Sequence, residues 1–407
     1  MIMANNNENK VLNVPNLRFP EFTEEWKETS LSSYAKKITK KNKGNIISNV
    51  LCNSANLGII PQSDYFDRDI ANNENTDAYY VIENGDFVYN PRKSVTAPYG
   101  PVNMYLGNKT GIISPLYLCF SVKDIYCDFL LHWFKGNAWH RYVYSHGDTG
   151  VRFDRVSIKD DIFLNMPIKV PVYEEQIRIS KLLRAIDERI ATQNKIIDKL
   201  QSLISGIIQN AIQKGLNDNT WEMIYLSKLL TERKEKNSNG YEVNSVSVSE
   251  GVINQIEYLG RSFAASDTSK YNVVRYGDIV YTKSPTGNFP YGIIKQSFQK
   301  HPVAVSPLYG VYEPYSNEAG CFLHYYFLSS IVTTNYLSPL IQKGAKNTIN
   351  ISNQTFLNNM VPYPKEEVGI RPIAELLRNV QIKLNIERLS LVLLEQQKTY
   401  LLRSMFI

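Results

Sequence analysis

Cysteine and histidine most often carry metal or nucleophilic chemistry, and their spacing here points away from both. Cys52, Cys119, Cys127 and Cys321 stand apart with no CxxC pair, which argues against a zinc ribbon or a disulfide framework and fits a reducing cytoplasm. The five histidines include no HExxH and no close pair. Neither a GxxxxGK[ST] phosphate loop nor a GxGxxG occurs. The nearest approach to a [DNS]-P-P-[YF] motif, whose aromatic stacks on a flipped base, is Asn90-Pro91-Arg92-Lys93, which lacks the second proline and the aromatic. Isolated patterns such as Glu232-Arg233-Lys234 occur freely in charged loops. The expectation is a chain with no catalytic centre, no metal and no cofactor of its own.

The elements that position the remaining polar residues come in two copies. Gly85-Asp86-Phe87-Val88-Tyr89 recurs as Gly277-Asp278-Ile279-Val280-Tyr281. Pro98-Tyr99-Gly100 recurs as Pro290-Tyr291-Gly292, and Ser114-Pro115-Leu116-Tyr117 as Ser306-Pro307-Leu308-Tyr309, all at an offset of 192. Trp26 answers Trp221 at 195, and Phe163-Leu164 answers Phe356-Leu357 at 193. Short aromatic and β-branched runs between Gly, Pro, Asn and Ser predict strand-rich globules, interrupted by helical patches over 125–143 and 319–337.

Each half then ends in a long apolar seam with alternating steps of four and three. The first seam is Ile179, Leu183, Ile186, Ile190, Gln193, Ile197, Leu200, Ile204 and Ile207. The second is Ile373, Leu377, Val380, Leu384, Glu387, Leu391, Leu394, Lys398 and Leu401, every position displaced by 194. Two matched helices of about 35 to 40 residues, each about 55 Å long, are expected. A polar residue at the same depth in each seam favours their pairing with each other, because a buried polar position sets register. The alternative is two amphipathic helices, each packed on its own half. The predicted fold is α+β: a globule over 1–172, a helix over 173–215, a globule over 216–364 and a helix over 365–407.

This layout resembles the specificity subunit of type I restriction-modification enzymes over essentially the whole chain. Pro15-Asn16-Leu17-Arg18-Phe19-Pro20-Glu21-Phe22 with Trp26 looks like the entry to such a subunit's first target-recognition domain. Glu174-Glu175-Gln176 resembles the opening of its conserved spacer, whereas Glu366-Glu367 is followed by Val368-Gly369 and lacks the glutamine. The resemblance implies two target-recognition domains that each read half of a bipartite site in double-stranded DNA, and two antiparallel paired helices that hold them apart. It also implies a subunit that is not an enzyme by itself. Two modification subunits carry the adenine methyltransferase site and S-adenosylmethionine, and, optionally, two restriction subunits carry the motor and nuclease with ATP and Mg. A different reading is a coiled-coil scaffold joining two protein-binding globules with no DNA role.

Charge and loops say where DNA would be touched. The stretches 173–215 and 365–407 each hold seven Lys and Arg against five Asp and Glu, while the globules are near neutral, 19 against 18 and 12 against 11. Near-neutral globules offer only local patches for phosphate, so partners are expected to supply part of the grip. The first candidate loop holds Arg92, Lys93, Ser94 and Thr96, and its counterpart holds Lys283, Ser284, Thr286 and Asn288. These loops align while their polar residues differ, as readers of different half-sites would. A second pair holds Thr149 and Arg152, against Lys343, Lys346 and Asn347; a third is 56–62 against 249–255. Ordinary polar turns are the alternative for each. The cluster Lys36, Lys37, Lys40, Lys41 and Lys43 reads as solvated surface. The outer residues Ile196, Leu203, Ile208 and Ile212 suggest apolar surface beyond the seam, where a modification subunit could dock. The opening MIMANNNENK lacks a secretory pattern and no apolar run approaches the ~18 residues of a membrane span, so no membrane partner and a cytoplasmic, bacterial-type location are expected.

Overall fold

The three motifs that recur at 192 are turn makers. Gly85 has φ of 91° and Asp86 accepts the Glu83 N–H at 2.7 Å; Gly277 has φ of 89° and Asp278 accepts the Arg275 N–H at 2.8 Å. Each turn launches a buried strand, Phe87–Tyr89 and Ile279–Tyr281. The tyrosine ending each strand ties down the second motif, Tyr89 donating to Tyr99 O at 2.9 Å and Tyr281 to Tyr291 O at 2.8 Å. A Cβ on Gly100 would stand 2.1 Å from Asn90 O, and one on Gly292 2.9 Å from Lys283 N, so this turn closes only on glycine. Ser114 and Ser306 each accept, through the hydroxyl, the N–H two residues on at 3.3 Å, which makes the Ser-Pro-Leu-Tyr turn.

The computed structural model describes residues 13–65, 76–148, 154–261, 264–343 and 349–407. Two compact units emerge, Met1–Thr192 with Leu391–Ile407, and Gln193–Ser390. The first contains a four-stranded antiparallel sheet in the order Ala35–Lys37, Leu118–Val122, Phe87–Tyr89, Val102–Met104. The second repeats it as Leu230–Glu232, Gly310–Pro314, Ile279–Tyr281, Ile294–Gln296. A further sheet of the first unit runs Gly58–Pro61, Val50–Ser54, Gly111–Ile113, Tyr80–Ile82, its middle pair parallel. Its counterpart is split into two antiparallel pairs, Asn244–Ser247 with Gly251–Asn254 and Asn272–Val274 with Val303–Val305, and a parallel bridge from Val243 to Ala304 stands where the parallel pair was. Each globule is closed by a ladder between its ends, Lys27–Ser30 on Pro167–Val170 and Trp221–Tyr225 on Met360–Pro364. The fold is α+β and is built twice.

The long helices are Tyr173–Asn217, 45 residues, and Arg371–Ser404, 34 residues. The expectation of equal length is therefore corrected. The first helix starts immediately after Pro171-Val172 and continues until Asn219, at φ of 56°, turns the chain. Before the second, the 3-10 turn Glu367–Gly369 delays the helix to Arg371.

In the first unit the start of one helix meets the end of the other. Ile179, Leu183 and Ile186 share a core with Leu401, Met405, Phe406 and the globule's own Trp26, Phe129 and Phe134. Lys398 pairs with Asp187 at 2.5 Å, and Leu17 N–H donates to Ser404 O at 2.9 Å. In the second unit Gln193 Nε2 donates to Glu387 O at 3.0 Å and also to its carboxylate. The helices thus run antiparallel in the first unit, where each packs on the globule as well as on its neighbour. Among the seam residues Ile197, Ile204, Leu377, Val380, Leu384 and Leu394 are also buried, while Ile190, Leu200, Ile207, Ile373 and Leu391 are half-buried. Ile208, read as lying outside the seam, is only 5% exposed, because a 3.6-residue turn drifts against a 3.5-residue repeat.

Candidate nucleic-acid interface

In the first globule three polar segments converge. Leaving the strand Phe87–Tyr89, the chain is steered by Asn90, whose Oδ1 accepts the Arg92 N–H at 3.0 Å and whose Nδ2 donates to Asn53 O at 3.1 Å. Lys93 N–H donates to Asp154 O at 2.8 Å, and Arg92 forms a β-bridge with Arg155, so the segment just after residue 153 joins the loop. Thr96 Oγ1 donates to Asn56 Oδ1 at 2.9 Å, which brings in the 56–62 segment. Arg92, Ser94 and Thr96 are exposed and Lys93 is half-buried. Together these segments enclose a cavity of about 430 Å³ lined by Asn53, Tyr79, Arg92, Lys93, Tyr117 and Arg155, among others.

The counterpart loop in the second globule is differently engaged. Lys283 takes φ of 58° and donates its ammonium to Asn353 Oδ1 at 2.5 Å, and Asn353 Nδ2 donates to Glu232 Oε1 at 2.6 Å. Burial pushes the Lys283 pKa down, with Glu232 opposing. Ser284 and Asn288 are exposed, while Thr286 is half-buried and donates to Ser284 O at 3.2 Å. Sequence pointed to Lys283 as a candidate DNA contact; in the structure its ammonium braces the loop against Asn353, 70 residues on.

Thr149, Arg152, Lys346 and Asn347 lie outside the described residues, and of Lys343 the backbone alone is described, in the strand Gln342–Lys343 paired with Ile349–Asn350. In the lysine cluster, Lys37 pairs with Asp160 at 2.6 Å while Lys36, Lys40, Lys41 and Lys43 are exposed. Arg155 was missed in sequence because it has no matching residue in the other repeat and stands beside the neutralising Asp154. Among the described residues no cluster of His, Cys, Asp and Glu could hold a metal, and no helix is long and apolar enough to cross a membrane.

The spine offers a second kind of surface. In the second unit Leu376, Ile382, Ile386 and Leu389 of the second long helix are exposed, and in the first unit Val392, Leu393 and Tyr400 are. On the first long helix Leu203 is exposed, and Ile196 and Ile212 are half-buried.

No protein-family model and no curated protein matches the sequence. Among solved structures, the type I restriction-modification system S subunit from M. genitalium matches with a TM-score of 0.56 at 13% identity, over 97% of this chain and 99% of that one. The chain has the fold of a type I restriction-modification S subunit. A structure described for complex assembly and conformational transition of the type I R-M system matches at a TM-score of 0.49 and 13% identity, over 93% and 96% of the two chains. The HsdS subunit from Thermoanaerobacter tengcongensis matches at 0.43 and 13%, over 95% and 99%. The first of these matches, covering 97% of this chain, extends over both repeats and both long helices.

Proposed function

We propose that this chain is the DNA-specificity subunit of a type I restriction-modification complex. The observation that carries the reading is the whole-chain match to an S subunit, 97% of this chain on 99% of that one, by a fold that repeats one four-stranded sheet strand for strand. Each globule reads one half of a bipartite target in double-stranded DNA. The loops support this assignment: Arg92, Lys93, Ser94 and Thr96 on one scaffold and Ser284, Thr286 and Asn288 on the other present different hydrogen-bonding chemistry from the same strand exit. The paired helices set the spacing. Exposed side chains such as Ile382, Ile386 and Leu389 give two modification subunits an apolar surface to dock on. Those subunits bring S-adenosylmethionine and methylate adenine, and optional restriction subunits bring ATP and Mg.

The test is to combine the purified chain with cognate modification subunits and S-adenosylmethionine and map methylated adenines. A split consensus with a fixed gap is expected; methylation without one sinks the reading. Inserting one heptad after Gln193 and another after Glu387 should lengthen the tolerated gap and leave both half-sites unchanged.

A further inference from the structure

Base edges of duplex DNA are recessed in the grooves while phosphates project, so a cavity on a DNA-facing surface suits a phosphate better than a base edge. The 430 Å³ cavity of the first globule is therefore informative in what its lining can still offer. Its buried amides are already spent. Asn53 Nδ2 donates to Val88 O at 2.7 Å and to Pro101 O at 3.3 Å, Asn53 Oδ1 accepts Asn103 Nδ2 at 2.6 Å, and Asn90 uses both ends of its amide within the protein. The guanidinium groups are not spent in this way. Arg155 Nε is buried with no hydrogen-bond partner. Its nearest carboxylate oxygen, Asp154 Oδ2, is 3.7 Å away, and Arg92 Nε is 3.8 Å from the same oxygen, both beyond hydrogen-bond length. One carboxylate thus stands against two arginines, and Lys93 lines the same cavity.

Among the described residues the second repeat shows a different lining, and the counterpart of Arg155 lies outside them. Ser284 and Pro285 stand where Arg92 and Lys93 do, Val246 where Asn53 does and Phe289 where Ala97 does; Val246, Phe289 and Ile293 pack into one apolar cluster. A lining of N–H donors with net positive charge calls for a ligand made of acceptors.

We propose that this cavity takes one backbone phosphate of the first half-site, held by Arg155 and Arg92. The inference rests on the specificity-subunit reading and deepens it: the first globule is anchored by a phosphate clamp.

The test uses the complex of the full chain with modification subunits and a duplex carrying its mapped split site. Arg155→Gln should weaken binding about tenfold and lower the slope of log affinity against log salt by about 0.9, leaving the methylated consensus unchanged. Neutral methylphosphonate linkages are then placed one at a time along the first half-site. One position should weaken the wild-type complex clearly more than the Arg155→Gln complex, which keeps only the Arg92 contact, a readout that needs no second protein variant. Equal sensitivity of both complexes at every position, or unchanged affinity of Arg155→Gln, overturns the clamp while the specificity reading stands. A relaxed consensus in the first half-site also overturns it, because Arg155 would then be reading a base. If the wild-type complex ignores the split site altogether, the specificity reading falls and the clamp with it.

Discussion

His132 and His324 occupy the same place in the two repeats, 192 residues apart, and sit in opposite surroundings. His132 directs Nε2 to Asp187 Oδ2 at 3.3 Å, and Lys398 reaches the other oxygen of that carboxylate at 2.5 Å. Burial works against the Asp187 charge, but the hydrogen bonds and charges of His132 and Lys398 hold its pKa below the ordinary value. His324 instead accepts the Gln296 N–H at 3.1 Å through Nδ1, packs edge-on against Phe298, and has the buried Lys295 close by. Burial first, and the Lys295 charge second, push the His324 pKa down to about 3. The position corresponding to Asp187 is Gln381, a neutral amide that receives the Tyr325 hydroxyl at 3.5 Å and donates to Asn385 Oδ1 at 2.8 Å. Turns and strand order are shared between the repeats, whereas the charge set between globule and helix is not. Backbone geometry restricts residue choice at a turn far more tightly than packing restricts which polar group fills a site.

The largest effect should come at the helix openings. Arg18 donates Nε and Nη2 to the two Glu175 oxygens at 2.7 Å each, and the Glu175 side chain is fully buried. Next to it, Gln176 accepts the Tyr126 N–H at 2.8 Å and donates to Pro171 O at 3.0 Å. At the corresponding opening of the second helix stand Gly369 and the buried Ile370, with no charge. Arg18→Ala leaves a buried carboxylate unpaired and should destabilise the first unit by about 3–5 kcal/mol, while the second unit keeps its protection. Peptide-resolved hydrogen exchange reads the two units separately. The double change Arg18→Met with Glu175→Met should recover most of the loss; an equally unstable double variant would mean that the pair is not the cause.

A smaller reciprocal difference is expected inside the sheets. Asn53 is the hub of a buried amide network in the first repeat, and Val246 lies in an apolar cluster at the matching place in the second. Asn53→Val removes the hub's hydrogen bonds and Val246→Asn buries an amide without partners, so each should cost about 1–3 kcal/mol in its own unit. Denaturant midpoints of the two variants check this. If Val246→Asn is neutral, the second repeat has room or partners for an amide, and the contrast between the two linings is weaker than the packing implies.

The repeat, the α+β character and the antiparallel helices were legible because a constant offset survives wherever a turn demands Gly, Asp or Pro. The unequal helix lengths were not, since the helices differ at both ends: Gln176 ties the start of the first to Tyr126 and Pro171 while a 3-10 turn precedes the second, and the first runs on to Asn217 while the second stops at Ser404, a position that answers 210. For the candidate interface, loop alignment put Arg92 and Lys93 at the strand exit but could not reveal that Lys283 is turned onto Asn353, because that depends on a left-handed residue no local pattern announces. Arg155 was hidden for a related reason. It reaches the cavity through a single bridge to Arg92, a pairing between segments more than 60 residues apart.

The same contrast predicts different responses to mild acid. A histidine held neutral in the folded state has its folded pKa depressed, so its contribution to stability is complete above the unfolded value near 6.5 and is lost as pH falls toward the folded value of about 3. Between pH 6.5 and 5, above the range where most carboxylates titrate, His324 should cost the second unit up to about 1.4 kcal/mol per pH unit. Lys295, whose pKa burial lowers to about 8, stays protonated throughout this window and adds no slope there. His324→Gln should therefore flatten the acid dependence of exchange protection in the second unit, whatever it does to absolute stability. A second unit that remains as acid-sensitive with glutamine at 324 would place the titrating group elsewhere and remove the buried neutral histidine from the comparison.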